Sequence, residues 1–224
     1  MNKQLAESLQ KNLNISQEQI VREEYEMIIL KQLFESNLGS LFVFKGGTAL
    51  RLAYDSPRFS DDLDFSVLKN FSKNELDKIL MDLTYKYNTL KILDLTQKYY
   101  TYFGLFSIKE NFLNQAFSIK FEASIRPVNL KKNIDYQLMA LSSKVTSLTV
   151  LSQVESLSQI EKEKKSISPP RIRDVFDLWF IGQKTGKAVP MDFSQWKTEE
   201  IRRDLFKYLP DKDKRLVEKW LKNE

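Results

Sequence analysis

The chain has 224 residues, 42% of them hydrophobic and 12% aromatic, which is enough to bury a substantial core and excludes a disordered polymer. It contains no cysteine and no histidine, so disulfides, thiolate chemistry, Ser-His triads, an imidazole general base and ordinary zinc sites are all excluded. The formal net charge of +5 mildly favours a polyanionic partner, and the absence of long apolar runs argues against a membrane span and for the cytoplasm.

In chain order, residues 15–37 read as an amphipathic helix. Ser16 caps it, Ile20, Tyr25, Ile28, Ile29, Leu33 and Phe34 recur at helical spacing, and Gly39 ends it. Leu41–Phe44 is a short buried strand, and Thr48–Tyr54 a helix entered through Gly46-Gly47. Leu63–Leu68 contains the second strand and Phe71–Tyr87 a helix with Ser72 as its cap. Three strands follow at Leu90–Tyr99, Tyr102–Ile108 and Phe117–Ser124, the last alternating apolar and polar residues without a break. A further strand is expected at Ile134–Leu141, a helix at about Thr149–Lys164, and a break at Ser168-Pro169-Pro170. Arg171–Gln183 reads as helix, and two short helices follow Pro190 and Pro210. The expected fold is α+β: an N-terminal unit (1–148) with a mixed β-sheet flanked by helices, and a helical unit (149–224) packed against it.

Two segments carry chemistry. Gly46-Gly47-Thr48 lies between an apolar strand and a helix. Glycines there let backbone N–H groups approach a phosphate, and the Thr48 hydroxyl adds a donor. In Asp62-Leu63-Asp64 the two-residue period of a strand sends both carboxylates to one face. Like charges that close repel by about 4 kcal/mol at an effective dielectric near 20, so the pair calls for a proton or a divalent cation. With no histidine or cysteine, carboxylate ligation favours Mg²⁺ or Mn²⁺. Ser60, two residues before Asp62, is placed to direct its hydroxyl at a bound triphosphate. Glu122, on the polar side of its strand, is either a third metal-binding carboxylate or an exposed partner of Lys120. Gly-Gly alone can be a turn and Asp-rich segments are often solvated loops; their occurrence together, in this order, favours a site.

Lys45-Gly46-Gly47-Thr48-Ala49-Leu50, followed by Arg58-Phe59-Ser60-Asp61-Asp62-Leu63-Asp64-Phe65, resembles the signature of the AbiEii/AbiGii-type nucleotidyltransferase toxins, within the DNA polymerase β-like superfamily. Arg171-Ile172-Arg173-Asp174-Val175-Phe176-Asp177-Leu178 resembles that family's later Arg-Asp-x-x-Asp motif. The resemblance implies an Mg²⁺-dependent toxin that moves a nucleotidyl group from an NTP to an acceptor hydroxyl, such as a tRNA 3′ end, and that is paired with an antitoxin. It implies nucleotide-binding roles for Lys45, Gly46, Gly47, Thr48, Arg58, Ser60 and Arg173. Asp62, Asp64 and Glu122 would carry metal and catalysis, with Asp174 and Asp177 supporting them. On pattern alone Arg173, Asp174 and Asp177 read equally as helix-surface charges. The family's lysine on the helix before the Arg-Asp motif aligns with Gln153, which the resemblance makes a nucleotide-binding residue able to hydrogen-bond a phosphate or base but without the charge. Lys144, Lys162, Lys164 and Lys165 are the substitutes for its charge. Other readings are transfer to a small molecule or a protein hydroxyl, and a catalytically weak NTP-binding protein.

Overall fold

The computed structural model describes residues 1–221. An N-terminal helix α1 (Lys3–Leu13), absent from the sequence expectation, is capped by Asn2, whose side chain accepts from the Leu5 amide. Helix α2 (Gln17–Phe34) starts at the expected cap, with the Ser16 hydroxyl accepting from the Gln19 amide. Strand β1 (Phe42–Lys45) then runs directly into α3 (Gly46–Tyr54). After β2 (Asp62–Val67) come α4 (Lys73–Lys86), β3 (Leu90–Lys98), β4 (Thr101–Ile108) and β5 (Phe117–Ser124). The chain continues through β6 (Tyr136–Ser142), β7 (Thr149–Glu155), α5 (Leu157–Lys165), α6 (Ile172–Thr185), α7 (Thr198–Leu205) and α8 (Asp211–Leu221).

The seven strands form one mixed sheet in the order β3-β4-β5-β2-β1-β7-β6. β2 pairs with β5 in parallel and β1 with β7 in parallel, while β1–β2 and the outer pairs are antiparallel. One face is apolar. Phe42, Phe44, Leu63, Phe65, Tyr102, Phe106, Ile119 and Phe121 pack with Tyr25, Ile29, Leu33, Leu76, Leu80 and Leu83 from α2 and α4. Phe65 stacks on Phe121 at 4.6 Å between ring centroids and Phe42 meets Phe65 edge-on at 5.9 Å. Burying aromatic rings of this size contributes about 2–3 kcal/mol each, so this face anchors the sheet. A second cluster of Ile172, Phe176, Phe193, Ile201, Leu205, Leu209 and Val217 holds the C-terminal helices together. Leu50, Ile160, Phe180 and Ile181 join α5 and α6 to α3.

One expected element is corrected. Residues expected to open a helix at Thr149 form β7, and the helix starts only after Ser156, whose hydroxyl accepts from the Gln159 amide. Val150, Ser152 and Val154 are buried from β7, in step with a strand's two-residue period. The sheet therefore extends to Glu155, seven residues beyond the boundary expected after residue 148, and the helices from α5 onward follow it.

Candidate active site

The polar face of the central strands carries the candidate site. β2 places Asp62, Asp64 and Ser66 on this face. Register puts Lys45 of β1 opposite Asp64, and Glu122 of β5 beside Asp64 on the other flank. Helices α5 and α6 contribute Lys164, Arg171, Arg173 and Asp174 to the hollow in front of these strands. The hollow, lined also by Gly47, Arg58, Ser60, Asp62 and Asp64, has a volume of about 40 Å³. It opens beside a wider groove of about 420 Å³ that shares Arg171 and Arg173 and adds Trp196, Glu200, Lys207 and Tyr208.

The Gly-Gly turn is required by its surroundings. Gly46 has φ +79°, a region that costs an L side chain strain, and a methyl group there would stand 2.5 Å from Asp64 Oδ2. A methyl group on Gly47 would meet the Arg58 guanidinium and come within 2.8 Å of Ser60 Oγ. The absence of both side chains lets α3 begin directly against the carboxylates. The first-turn amides of a helix have no intrahelical acceptor and attract anions. Thr48 plays a different part from the one expected. Its hydroxyl is fully buried and donates to the Asp62 carbonyl, tying α3 to the start of β2 rather than presenting a donor to a ligand.

The carboxylates are electrostatically loaded. Burial, reinforced by Asp62 and then Glu122, pushes the Asp64 carboxyl up to about 6, against the pull of Lys45 and Lys164. Among the described residues no group of three acidic side chains converges closely enough to hold one ion as it stands. The near pair is Asp62 and Asp64. Mg²⁺ is commonly held by one or two carboxylates together with substrate phosphates, so this all-oxygen, mutually repelling pair fits a hard divalent cation. Glu122 faces the same side, one strand further out.

The Arg-Asp segment forms a buried ion cluster. Asp177 is fully buried and accepts two bonds from Arg58, Nε and Nη2, both at 2.7 Å. Arg58 also donates to the Phe59 carbonyl at 2.8 Å. Lys164 Nζ lies 2.8 Å from Asp174 and 2.7 Å from Asp177. Arg171 donates to Asp174 at 2.6 Å. Burial alone would raise the Asp177 carboxyl, but Arg58 and Lys164 overcome that and hold it well below the usual range. Asp174 is held low in the same way, by Arg171 and Lys164 against burial. Arg173 stacks its guanidinium 5.3 Å from the Tyr208 ring. Tyr208 in turn donates to Asp61, and its carbonyl accepts from the Phe59 amide at 2.8 Å. Arg58, Asp174 and Asp177 are thus each already occupied by a partner.

One further expectation is revised. Gln153 lies on β7, not on a helix, and its amide donates to the Ser40 carbonyl, just ahead of β1. The Gly-Gly turn follows the other end of β1, so Gln153 does not line the hollow. The lysine that does is Lys164, at the C-terminal end of α5 and ten residues before Asp174. Lys45 of β1 pairs with Glu163 of α5 at 2.9 Å. Sequence reading missed a buried carboxylate beside this pair. Glu155 ends β7, accepts from Ser66 Oγ at 3.0 Å, and is raised to about 8 by burial and then by Glu163.

A family model described as nucleotidyl transferase AbiEii toxin, type IV toxin–antitoxin system, matches residues 28–218. No curated protein sequence matches the chain. Among solved structures, JHP933 from Helicobacter pylori is similar over 85% of this chain and 79% of that one, with TM-score 0.57 and 21% identity. A second H. pylori structure, described as a nucleotidyltransferase, covers 74% of this chain and 69% of its own at TM-score 0.53 and 22% identity. MenT4, a nucleotidyltransferase toxin from Mycobacterium tuberculosis H37Rv, covers 75% and 59%, at TM-score 0.49 and 19% identity. At these identities the likeness to JHP933 and the second H. pylori structure concerns the fold.

Proposed function

Since the chain belongs to the AbiEii nucleotidyltransferase toxin family of type IV toxin–antitoxin systems, we propose that it transfers a nucleotidyl group from an NTP to a hydroxyl of an RNA acceptor, a tRNA 3′ end being the expected one. The observation that supports this most is the packing of Gly46-Gly47, at the start of α3, against Asp64 and Ser60, with Lys164, Arg171 and Arg173 opposite. In this reading the triphosphate lies against the first turn of α3 and the Ser60 hydroxyl, and Arg171 and Arg173 meet it from α6. The nucleoside extends into the groove formed with Trp196 and Tyr208. Asp62 and Asp64 would hold Mg²⁺ or Mn²⁺, with Glu122 as the third carboxylate. Such an ion supplies Lewis-acid neutralisation of phosphate charge. Glu122 takes the proton of the acceptor hydroxyl as its oxygen bonds to the α-phosphorus. The bond from that phosphorus to the bridging oxygen breaks, and pyrophosphate leaves with the electron pair. Asp174 and Asp177 keep Lys164 and Arg58 aimed while the substrate is absent. Among the described residues no helix is long and apolar enough to cross a membrane, in keeping with the proposed cytoplasmic site of action and with restraint by a cognate antitoxin.

The test is incubation with each α-labelled NTP, Mg²⁺ and total RNA, followed by electrophoresis. Labelled RNA is expected, and it should disappear with Asp62→Asn and with Asp64→Asn. Label on protein, on a small molecule, or nowhere would overturn the assignment.

A further inference from the structure

The three outer strands present an open face on the flank of the carboxylates away from the Gly-Gly turn. In β4 the residues facing the core, Tyr102, Gly104, Phe106 and Ile108, are buried, whereas Thr101, Phe103, Leu105 and Ser107 on the other side are all partly exposed. Phe103 stands directly opposite Glu122 in the antiparallel register, and Leu105 opposite exposed Lys120. Further along the same direction the β3–β4 turn carries Tyr99 and Tyr100, 87% and 45% exposed, packed edge-on with centroids 4.6 Å apart. Cations interleave with these rings. Lys98 Nζ is 5.8 Å from the Phe103 centroid and the Arg126 guanidinium is 5.1 Å from that of Tyr100.

We propose that this face is the platform for a single-stranded RNA acceptor, its bases stacking on Phe103 and Tyr100 and its phosphates meeting Lys98, Lys120 and Arg126, so that its terminal hydroxyl reaches Glu122. The inference rests on the nucleotidyl transfer proposed above and adds the path of the acceptor. Three pieces of physical reasoning support it. Sheet order puts the phosphate-binding turn toward β1 and this face toward β5 and β4, so the two substrates approach Asp62 and Asp64 from opposite sides. The rise from Phe103 to Tyr100 is roughly 10 Å, room for about three bases at the 3.4 Å spacing of a nucleic-acid strand. Aromatic residues exposed on a sheet and flanked by Lys and Arg suit stacked, unpaired bases, whereas protein interfaces are depleted in lysine.

The experiment measures fluorescence anisotropy of a 5′-fluorescein single-stranded RNA 12-mer with the full-length protein, alongside calorimetric titration with a non-hydrolysable NTP. Phe103→Ala and Tyr100→Ala should each weaken RNA binding about tenfold, the usual loss for one stacked base, with NTP affinity unchanged. Lys98→Ala and Arg126→Ala should each lower the slope of log affinity against log salt by about one. Tyr85→Ala, at an 83% exposed position on α4 outside the platform, should change neither affinity and serves as the control. RNA affinity that is undetectable in the wild type, or unmoved by both Phe103→Ala and Tyr100→Ala, overturns the platform. RNA binding that is lost in these variants while the wild type incorporates no nucleotide upholds the platform and instead removes the proposed transfer.

Discussion

Asp177 offers the sharpest separation between a residue that performs chemistry and one that arranges it. Asp177→Asn keeps the shape of the side chain but leaves Arg58, itself only 3% exposed, without a counter-charge. Removing one partner of a buried ion pair costs about 3–5 kcal/mol, because the desolvated charge that remains is uncompensated. Lys164 retains Asp174, which moves the expectation toward 3 kcal/mol. For a chain of this size that corresponds to a fall in Tm of roughly 10 °C. Asp177 also has a folded-state pKa below that of the unfolded chain. Its contribution is therefore present above about pH 4 and is lost as pH falls below that value toward the folded pKa. Urea unfolding of wild type and Asp177→Asn at pH 7 should show the full difference, and the gap should narrow below pH 4. Arg58→Met combined with Asp177→Leu should cost clearly less than the two single changes added together. An Asp177→Asn protein as stable as wild type at pH 7 but unable to bind NTP would refute the positioning role and place Asp177 on the ligand.

Other consequences follow from the same geometry. In the metal-free protein, the raised pKa of Asp64 means its ionisation opposes folding, so stability should fall by up to about 3 kcal/mol as pH rises from about 4, the unfolded value, to about 6. Asp64→Asn should remove that dependence in urea melts between pH 4 and 7; an equal gap at every pH would contradict the assignment. Gly46→Ala should lose about 1–2 kcal/mol of stability and at least a hundredfold in transfer rate, because the methyl group displaces Asp64. Gly186→Ala, also at positive φ but facing open space, should cost a similar amount of stability and leave transfer intact, as read by thermal melting and initial rates. Gln153→Lys should leave NTP affinity within twofold of wild type by calorimetry, whereas Lys164→Gln should weaken it at least tenfold.

Local chemistry made much of this site legible. The Gly-Gly turn between an apolar strand and a helix, and two aspartates separated by one leucine, require only the nearest neighbours in sequence to be interpreted. The unbroken alternation of Phe117–Ser124 gave both the strand and the face of Glu122, and the register beside Asp64 agrees with it. The segment from Thr149 to Glu155 was misread for a physical reason. Val150, Leu151, Val154 and Leu157 fit a helical stripe, while the buried polar residue Ser152 disguises the inner face of a strand, which it shares with Val150 and Val154. What decided the matter was pairing with β1, over a hundred residues earlier, and with β6. A contact at that separation leaves no local trace.

The same limit explains how the site's lysine was misplaced. Alignment along the chain weighs a residue by its neighbours, and around Gln153 those neighbours resemble a family helix. Whether a side chain reaches the hollow depends instead on where α5 starts, which Ser156 sets by capping, and on how far it then runs. Nine residues at 1.5 Å each advance the chain by roughly 13 Å, which carries Lys164 to the end of the helix beside Asp174 and Asp177. There its charge serves both buried aspartates, Asp174 together with Arg171 and Asp177 together with Arg58. Lys164 is therefore held by the folding energetics of the α5–α6 pair even before a nucleotide arrives, and a phosphate that recruits it must compete with those two carboxylates. A lysine at position 153, at the far end of β1, would have neither the partners nor the reach.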